Sequence, residues 1–166
     1  MKEISKLKQN LLELLREDAR YTPELLSTML GVTADEVKSA IAELEEDHII
    51  VKYATVINSK KLDDEKVTAL IEVQITPERD RGFDAISERI YLFPQVKSVY
   101  LMSGAYDLLV EVEGRNLKEV ANFVSEKLST LEKVLSTKTH FILKKYKQDG
   151  VIFEDHEEDH RLMISP

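Results

Sequence analysis

The sequence has no cysteine and no tryptophan, and only four prolines and five glycines among its 166 residues. Without thiols there are no disulfides, no cysteine nucleophile and no thiolate zinc site, which fits a reducing compartment. No apolar run approaches the roughly 18 residues that a membrane-spanning helix needs. Met1-Lys2-Glu3-Ile4 opens no signal-peptide core, so the expected location is the cytoplasm, with no membrane partner. Positive charge is also short: 23 Lys and Arg stand against 31 Asp and Glu, a formal net charge of −8. That balance argues against a chain that coats nucleic acid by charge alone. What remains, 43% hydrophobic and 33% charged, is an ordinary globular composition, long enough for one full domain or two small ones.

Residues 1–50 carry helical periodicity only. Ile4, Leu7, Leu11, Leu12, Leu14 and Leu15 recur at helical spacing and predict a first helix from about Glu3 to Glu17. Thr22-Pro23 is a start signal, a hydroxyl at the N-cap followed by proline in the first turn. A short helix through Leu25, Leu26, Met29 and Leu30 is stopped by Gly31. Thr33-Ala34-Asp35-Glu36 has the form of a capping box and launches a third helix with Val37, Ala40, Ile41 and Leu44 on one face. Three helices, the last two separated by a short turn containing glycine, form a helix-turn-helix pattern.

From Ile50 the period changes. Val51 to Asn58 is expected as a hinge strand and Ser59 to Asp64 as a linker, so 51–65 connects two domains. Val67, Ala69, Ile71, Val73 and Ile75 alternate with Thr68, Leu70, Glu72, Gln74 and Thr76 in a period-two strand. Phe83, Ile86, Ile90 and Phe93 mark a helix ended by Pro94. Strands Val96–Met102 and Tyr106–Glu113 follow, joined across Ser103-Gly104-Ala105. A helix through Leu117, Val120, Ala121, Val124, Leu128 and Leu131 leads to a long strand, Val134–Tyr146. The order β-α-β-β-α-β over 66–147 is a ferredoxin-like unit. Residues 148–166, with Val151-Ile152-Phe153 and Leu162-Met163-Ile164 around an acidic run, are a candidate edge strand. The predicted fold class is α+β: a winged-type helix-turn-helix joined by a hinge strand to a ferredoxin-like domain. Helices cover one sheet face. Apolar residues such as Leu70, Val99 and Leu101 are expected to leave the other in need of a second copy.

The words Leu30-Gly31-Val32-Thr33, Leu44-Glu45-Glu46-Asp47-His48-Ile49-Ile50, Tyr53-Ala54-Thr55-Val56-Ile57-Asn58 and Ser103-Gly104-Ala105-Tyr106-Asp107-Leu108-Leu109 occur in this order. In that order and domain context the chain, from Ile4 to Tyr146, resembles the leucine-responsive/asparagine regulator (Lrp/AsnC) family. The resemblance implies a transcriptional regulator that binds double-stranded DNA, forms homodimers and higher homo-oligomers, and takes a small-molecule effector, commonly an amino acid. No other cofactor is implied.

If the apolar face of the third helix is buried, Ala34, Asp35, Lys38, Ser39 and Ala42 face outward, where a recognition helix meets base edges. Lys38 and Ser39 are donors for bases or phosphates. Thr22 and Thr33 offer hydroxyls and amides at helix starts. Lys52, Lys60 and Lys61 add positive charge just beyond, with no acid between them. The expected DNA contacts are therefore Thr22, Thr33, Ala34, Lys38, Ser39 and Lys52. Against this, residues 1–50 hold 6 basic and 11 acidic side chains, a net of −5. That charge keeps open a second reading, an effector-binding oligomeric module that works through protein partners.

Gly104 lies in a strand connection where a positive φ or a close backbone approach is expected. Exposed amides there suit a carboxylate and Asp107 suits an ammonium group, a pairing that fits an α-amino acid. By resemblance, the glycine loop and aspartate line the effector site with hydroxyls of the last strand nearby. This gives Ser103, Gly104, Ala105, Tyr106 and Asp107, with Thr137 and Thr139.

His156-Glu157-Glu158-Asp159-His160 matches H-E-x-x-H, the zinc-protease pattern. Only Arg161 to Pro166 follow, with no third ligand among them, and the segment is an acidic run. It reads as a solvated tail rather than a metal site. His48 and His140 match no triad or ligand spacing, and neither a phosphate loop nor a catalytic carboxylate pair is found, so no enzyme activity is expected. Proteins of similar architecture that act on tetrapyrroles offer a third reading, with little support from these few histidines.

Overall fold

The structure is a computed structural model that describes residues 4–62, 66–77 and 82–153. The chain divides into two compact units, Met1–Thr55 and Val56–Pro166.

The first unit holds three helices, each started by a side-chain cap. α1 spans Lys6–Glu17 and begins at Ser5, whose hydroxyl accepts from the Lys8 amide, so it starts later than the apolar periodicity suggests. α2, Pro23–Leu30, is capped by Thr22 and stops at Gly31, which at φ +70° takes the left-handed conformation that only glycine adopts cheaply. α3, Ala34–Glu46, opens with the full capping box. Thr33 Oγ1 accepts from the Glu36 amide at 3.2 Å, and Glu36 Oε2 accepts from the Thr33 amide at 2.8 Å. Leu11, Leu26, Val37, Ala40 and Leu44 form the core, with Ile41 on its rim.

These same bonds hold the Glu36 carboxyl below the ordinary carboxylate range, the backbone donor of Thr33 contributing most. A carboxylate whose folded value is depressed stabilises the fold above its unfolded value and loses that contribution as pH falls through the folded one. The first unit is therefore expected to lose helicity on acidification below pH 4.5. Glu36→Ala should flatten that part of the acid transition in circular dichroism at 222 nm.

Residues 51–58 pair with no strand among the described residues of the single chain, so they run as extended connection rather than as a laddered strand. A β-strand exists only where a neighbour takes its amides and carbonyls. A short 3-10 turn, Ser59–Lys61, follows.

The second unit runs β1 (Val67–Ile75), α4 (Asp84–Tyr91), β2 (Val96–Leu101), β3 (Leu108–Gly114), α5 (Leu117–Phe123), one π turn (Val124–Leu128) and β4 (Val134–Phe141). The four strands form one antiparallel sheet in the order β2-β3-β1-β4, as a ferredoxin-like unit requires. Ala69, Ile71, Val73, Leu108, Val110 and Val112 meet Ile86, Ile90, Val120, Phe123 and Leu128 in its core. Gly114 allows the close approach of α5: an added Cβ would lie 2.9 Å from Val120 Cγ2.

Three expectations change here. β4 ends at Phe141 rather than Tyr146: Phe141 pairs with Ala69, Ile142 still donates to the Thr68 carbonyl, and β1, which begins at Val67, is too short to reach Tyr146. Among the described residues the tail does not join the sheet as an edge strand: β5 (Lys147–Gln148) and β6 (Val151–Ile152) pair with each other in a small hairpin, and Leu162-Met163-Ile164 lie outside the described residues. Val99 and Leu101 lie on the helix-covered face, because the register of β2 slips by one residue between Val96 and Ser98 and reverses the alternation. The open face instead carries Leu70, Leu109 and Tyr100 among polar groups, including Glu72, Gln74, Glu111, Ser136, Lys138 and His140. His140 Nε2 is 2.9 Å from Glu72 Oε1 across this face.

Candidate functional site

Two groups of candidate residues stand out, one in each unit. In the first, α3 buries Val37, Ala40 and Leu44, and this phase leaves Asp35, Lys38, Ser39 and Ala42 exposed, with Ala34 half-buried. Lys38 Nζ stands 3.8 Å from Glu24 Oε1 and 3.9 Å from Asp35 Oδ1. Ser39 lines a shallow depression with Ser5, Lys8, Asp35, Glu36 and Glu43. The hydroxyls of Thr22 and Thr33 are engaged as caps, and that of Thr33 also donates to Glu36 Oε2. Lys52 is exposed beside a second open depression lined by Glu45, His48, Ile50 and Tyr53, where the Tyr53 hydroxyl donates to Glu45 Oε1 at 2.9 Å. Partial burial, then that carboxylate, pushes the Tyr53 hydroxyl up from its ordinary value.

In the second unit the connection between β2 and β3 runs from Met102 to Asp107, longer than the three residues expected, because Tyr106 and Asp107 leave the ladder. The Asp107 amide donates to the Val73 carbonyl at 3.1 Å, and Asp107 Oδ2 accepts from the Ile75 amide at 2.8 Å. That amide lies past the last β1–β3 pair, Val73 with Leu108, so the carboxylate takes the place of a ladder acceptor that β3 no longer supplies. Ser103, Gly104 and Ala105 are exposed and Tyr106 is half-buried. Gly104 has neither the positive φ nor the close approach expected of it: a Cβ there would meet nothing within 4 Å. With six residues in the connection, no left-handed position is forced. Space around the loop is open.

Thr137 and Thr139 both lie on β4, opposite Val73 and Ile71. Val73 is thus flanked by the root of the loop on one side and Thr137 on the other, while Thr139 is two pairs farther along the ladder. The Thr137 hydroxyl is 3.1 Å from Ser129 Oγ. Sequence reasoning missed Gln74, whose side chain donates to the Ala105 carbonyl at 3.0 Å and accepts from Ser136 Oγ at 2.7 Å. On an alternating strand it reads as an ordinary exposed polar position, and no local signal marks a partner 31 residues away. Among the described residues no cluster of His, Cys, Asp and Glu could hold a metal ion, and the H-E-x-x-H motif lies outside them. No helix among them is long and apolar enough to cross a membrane.

Residues 4–51 match the family model of a winged helix-turn-helix DNA-binding domain, and residues 68–152 that of the Lrp/AsnC ligand-binding domain. YugG, an uncharacterized HTH-type transcriptional regulator of Bacillus subtilis, is 48% identical over 99% of both chains. Among solved structures, AsnC of E. coli superposes with a TM-score of 0.69 at 20% identity, covering 88% of this chain and 96% of that one. A transcriptional regulator of Neisseria meningitidis, in complex with L-methionine, superposes with a TM-score of 0.71 at 22% identity, covering 88% and 94%. A capped helix-turn-helix followed by an antiparallel βαββαβ unit, with both halves matched and a near-half-identical regulator over the full length, leads to one assignment: the chain belongs to the Lrp/AsnC family of DNA-binding transcriptional regulators, proteins with a ligand-binding domain and not enzymes.

Proposed function

We propose that this regulator senses an α-amino acid at the Met102–Asp107 connection and reads its operator with the exposed face of α3. One observation carries the sensing half: the loop that ends in the Asp107 carboxylate leaves the space at Gly104 unobstructed. Amides facing a carboxylate and a carboxylate facing an ammonium complement a zwitterion. The L-methionine bound by the Neisseria relative supports the same class of ligand. Ser103, Gly104, Ala105, Tyr106 and Asp107 form the site, with Thr137 beside Val73 and Thr139 at its margin. A strand connection alone has no concavity to bury a ligand, so a second copy completes the site, and the working form is a homodimer or larger, in the cytoplasm. Residues 1–50 serve as the DNA-binding domain, 51–65 as the connector, 66–147 as the effector and assembly domain, and 148–166 as a tail.

On the DNA side, Lys38 and Ser39 hold the base-proximal positions, with Ala34 next to them and Thr22, Thr33 and Lys52 near the phosphates. Lys38→Glu should weaken operator binding by about 1–3 kcal/mol with helicity unchanged. The test is a salt titration of binding to the promoter of the chain's own gene, with and without each of the twenty amino acids, alongside calorimetry. Amino-acid binding without any promoter binding would favour the second reading, a module acting through protein partners, to which the −5 charge of residues 1–50 points. Binding of none of the twenty would end the sensing half.

A further inference from the structure

Lys38 is the one basic residue of α2 and α3, and an exposed carboxylate stands on either side of it. Glu24 lies in the first turn of α2 and Asp35 in the first turn of α3, with side chains 67% and 97% accessible. These two helix starts are where a helix-turn-helix would receive phosphate, since unpaired amides and the helix dipole favour an anion there. Other cations of the unit are also matched to its own acids. Lys8 Nζ is 2.7 Å from Glu43 Oε2, and the Arg20 guanidinium grips both oxygens of Asp18 at 3.0 and 2.8 Å, holding that carboxyl at about 2. Ion pairs between exposed groups add little to stability. Their effect lies in what an approaching phosphate meets.

We infer that Glu24 and Asp35 are specificity-determining residues, which keep Lys38 out of indiscriminate phosphate contact and repel any duplex not held by base contacts. The inference rests on the proposed reading of α3 as the DNA-facing helix. Sequence-independent affinity comes almost entirely from cations displacing counterions condensed on the phosphates. A lysine screened by two carboxylates displaces fewer, so random DNA is left with repulsion and no gain. On a matched duplex, Lys38 exchanges its carboxylates for a base edge or a positioned phosphate, and hydrogen bonds at Ser39 offset the repulsion. Discrimination thus comes from penalising the wrong partner as much as from rewarding the right one.

The test compares full-length wild type with the double variant Glu24→Gln, Asp35→Asn by fluorescence anisotropy. The probes are a random-sequence duplex and a duplex enriched from a random pool by the wild-type protein, each titrated from about 50 to 200 mM KCl. Affinity for random DNA should rise about tenfold in the double variant, affinity for the enriched duplex should rise less, and the salt slope on random DNA should steepen by about 0.9, one phosphate's worth. Unchanged affinity and slope on random DNA would overturn the inference. So would weaker binding of the enriched duplex traced to a single cytosine position, since Asp35 would then be reading a base. Lys38→Ala separates the two levels. If it weakens binding to the enriched duplex while the double variant changes nothing, only the inference fails. If it changes nothing, or if wild type enriches no duplex, the reading of α3 fails with it.

Discussion

A Leu44→Ala chain should melt in its first unit long before its second. Leu44 is fully buried with Leu11, Leu26, Val37 and Ala40, and it lies near the end of α3, the helix proposed to face DNA. Truncating such a leucine removes its transfer energy and leaves a cavity, costing about 2–5 kcal/mol. A unit of some fifty residues has little stability to spare, since whole domains hold only about 5–15 kcal/mol. The second core, from Ala69 to Leu128, shares no residue with the first. Hydrogen exchange should therefore show protection lost through α1–α3 and retained in β1, β3 and β4. DNA binding should vanish at temperatures where amino-acid binding persists. Equal loss of protection in both units would show that they unfold together.

The second large effect is at Asp107, whose carboxylate has two duties. In the free protein it accepts from the part-buried Ile75 amide at the end of β1. In the proposed complex it also faces the ammonium of the effector. Asp107→Ala removes both, leaving the amide unsatisfied at a cost of about 1–3 kcal/mol and losing the ligand. Asp107→Asn separates the duties, because the amide oxygen still accepts from Ile75 while the charge is gone. The expected pattern is near-normal thermal stability for Asn, reduced stability for Ala, and amino-acid affinity at least about tenfold lower in both, a charge-assisted bond contributing about 1.5–3 kcal/mol. Calorimetry with the ligand found for wild type reads affinity, and thermal melts read stability. Wild-type affinity in Asp107→Asn would remove the carboxylate from the site.

Local rules made the first unit legible. Thr22-Pro23, Gly31 and the Thr33–Glu36 box each act within four residues, and all three stand where the spacing put them. The buried alternation of β1 was legible for the same reason. What could not be read depends on partners distant in sequence. Residues 51–58 have the composition of a strand but no neighbour to pair with among the described residues, and Tyr146 lies beyond the reach of β1. Val99 and Leu101 were assigned to the wrong face because a one-residue slip in β2 is invisible to a period-two count. At the loop, Asp107 was visible as a carboxylate beside a glycine. Its hold on Ile75 and the bridge from Gln74 to Ala105 join residues about thirty positions apart.

The π turn after α5 has a consequence for chain length. Val120 and Phe123 are buried at the usual helical interval, but the next buried residue, Leu128, comes five later, and the Ser129 amide reaches back five residues to the Val124 carbonyl at 2.8 Å. An ordinary α-helix would bring residue 127, a lysine, to that side of the core. The wider turn takes up one surplus residue and returns leucine to the sheet. Deleting Ser125 should therefore leave the core in phase, with a regular helix in place of the bulge, whereas deletion of one residue within α5 itself would rotate Val120 or Phe123 away from it. The segment 124–128 is a place where this domain can lose a single codon without changing what it buries.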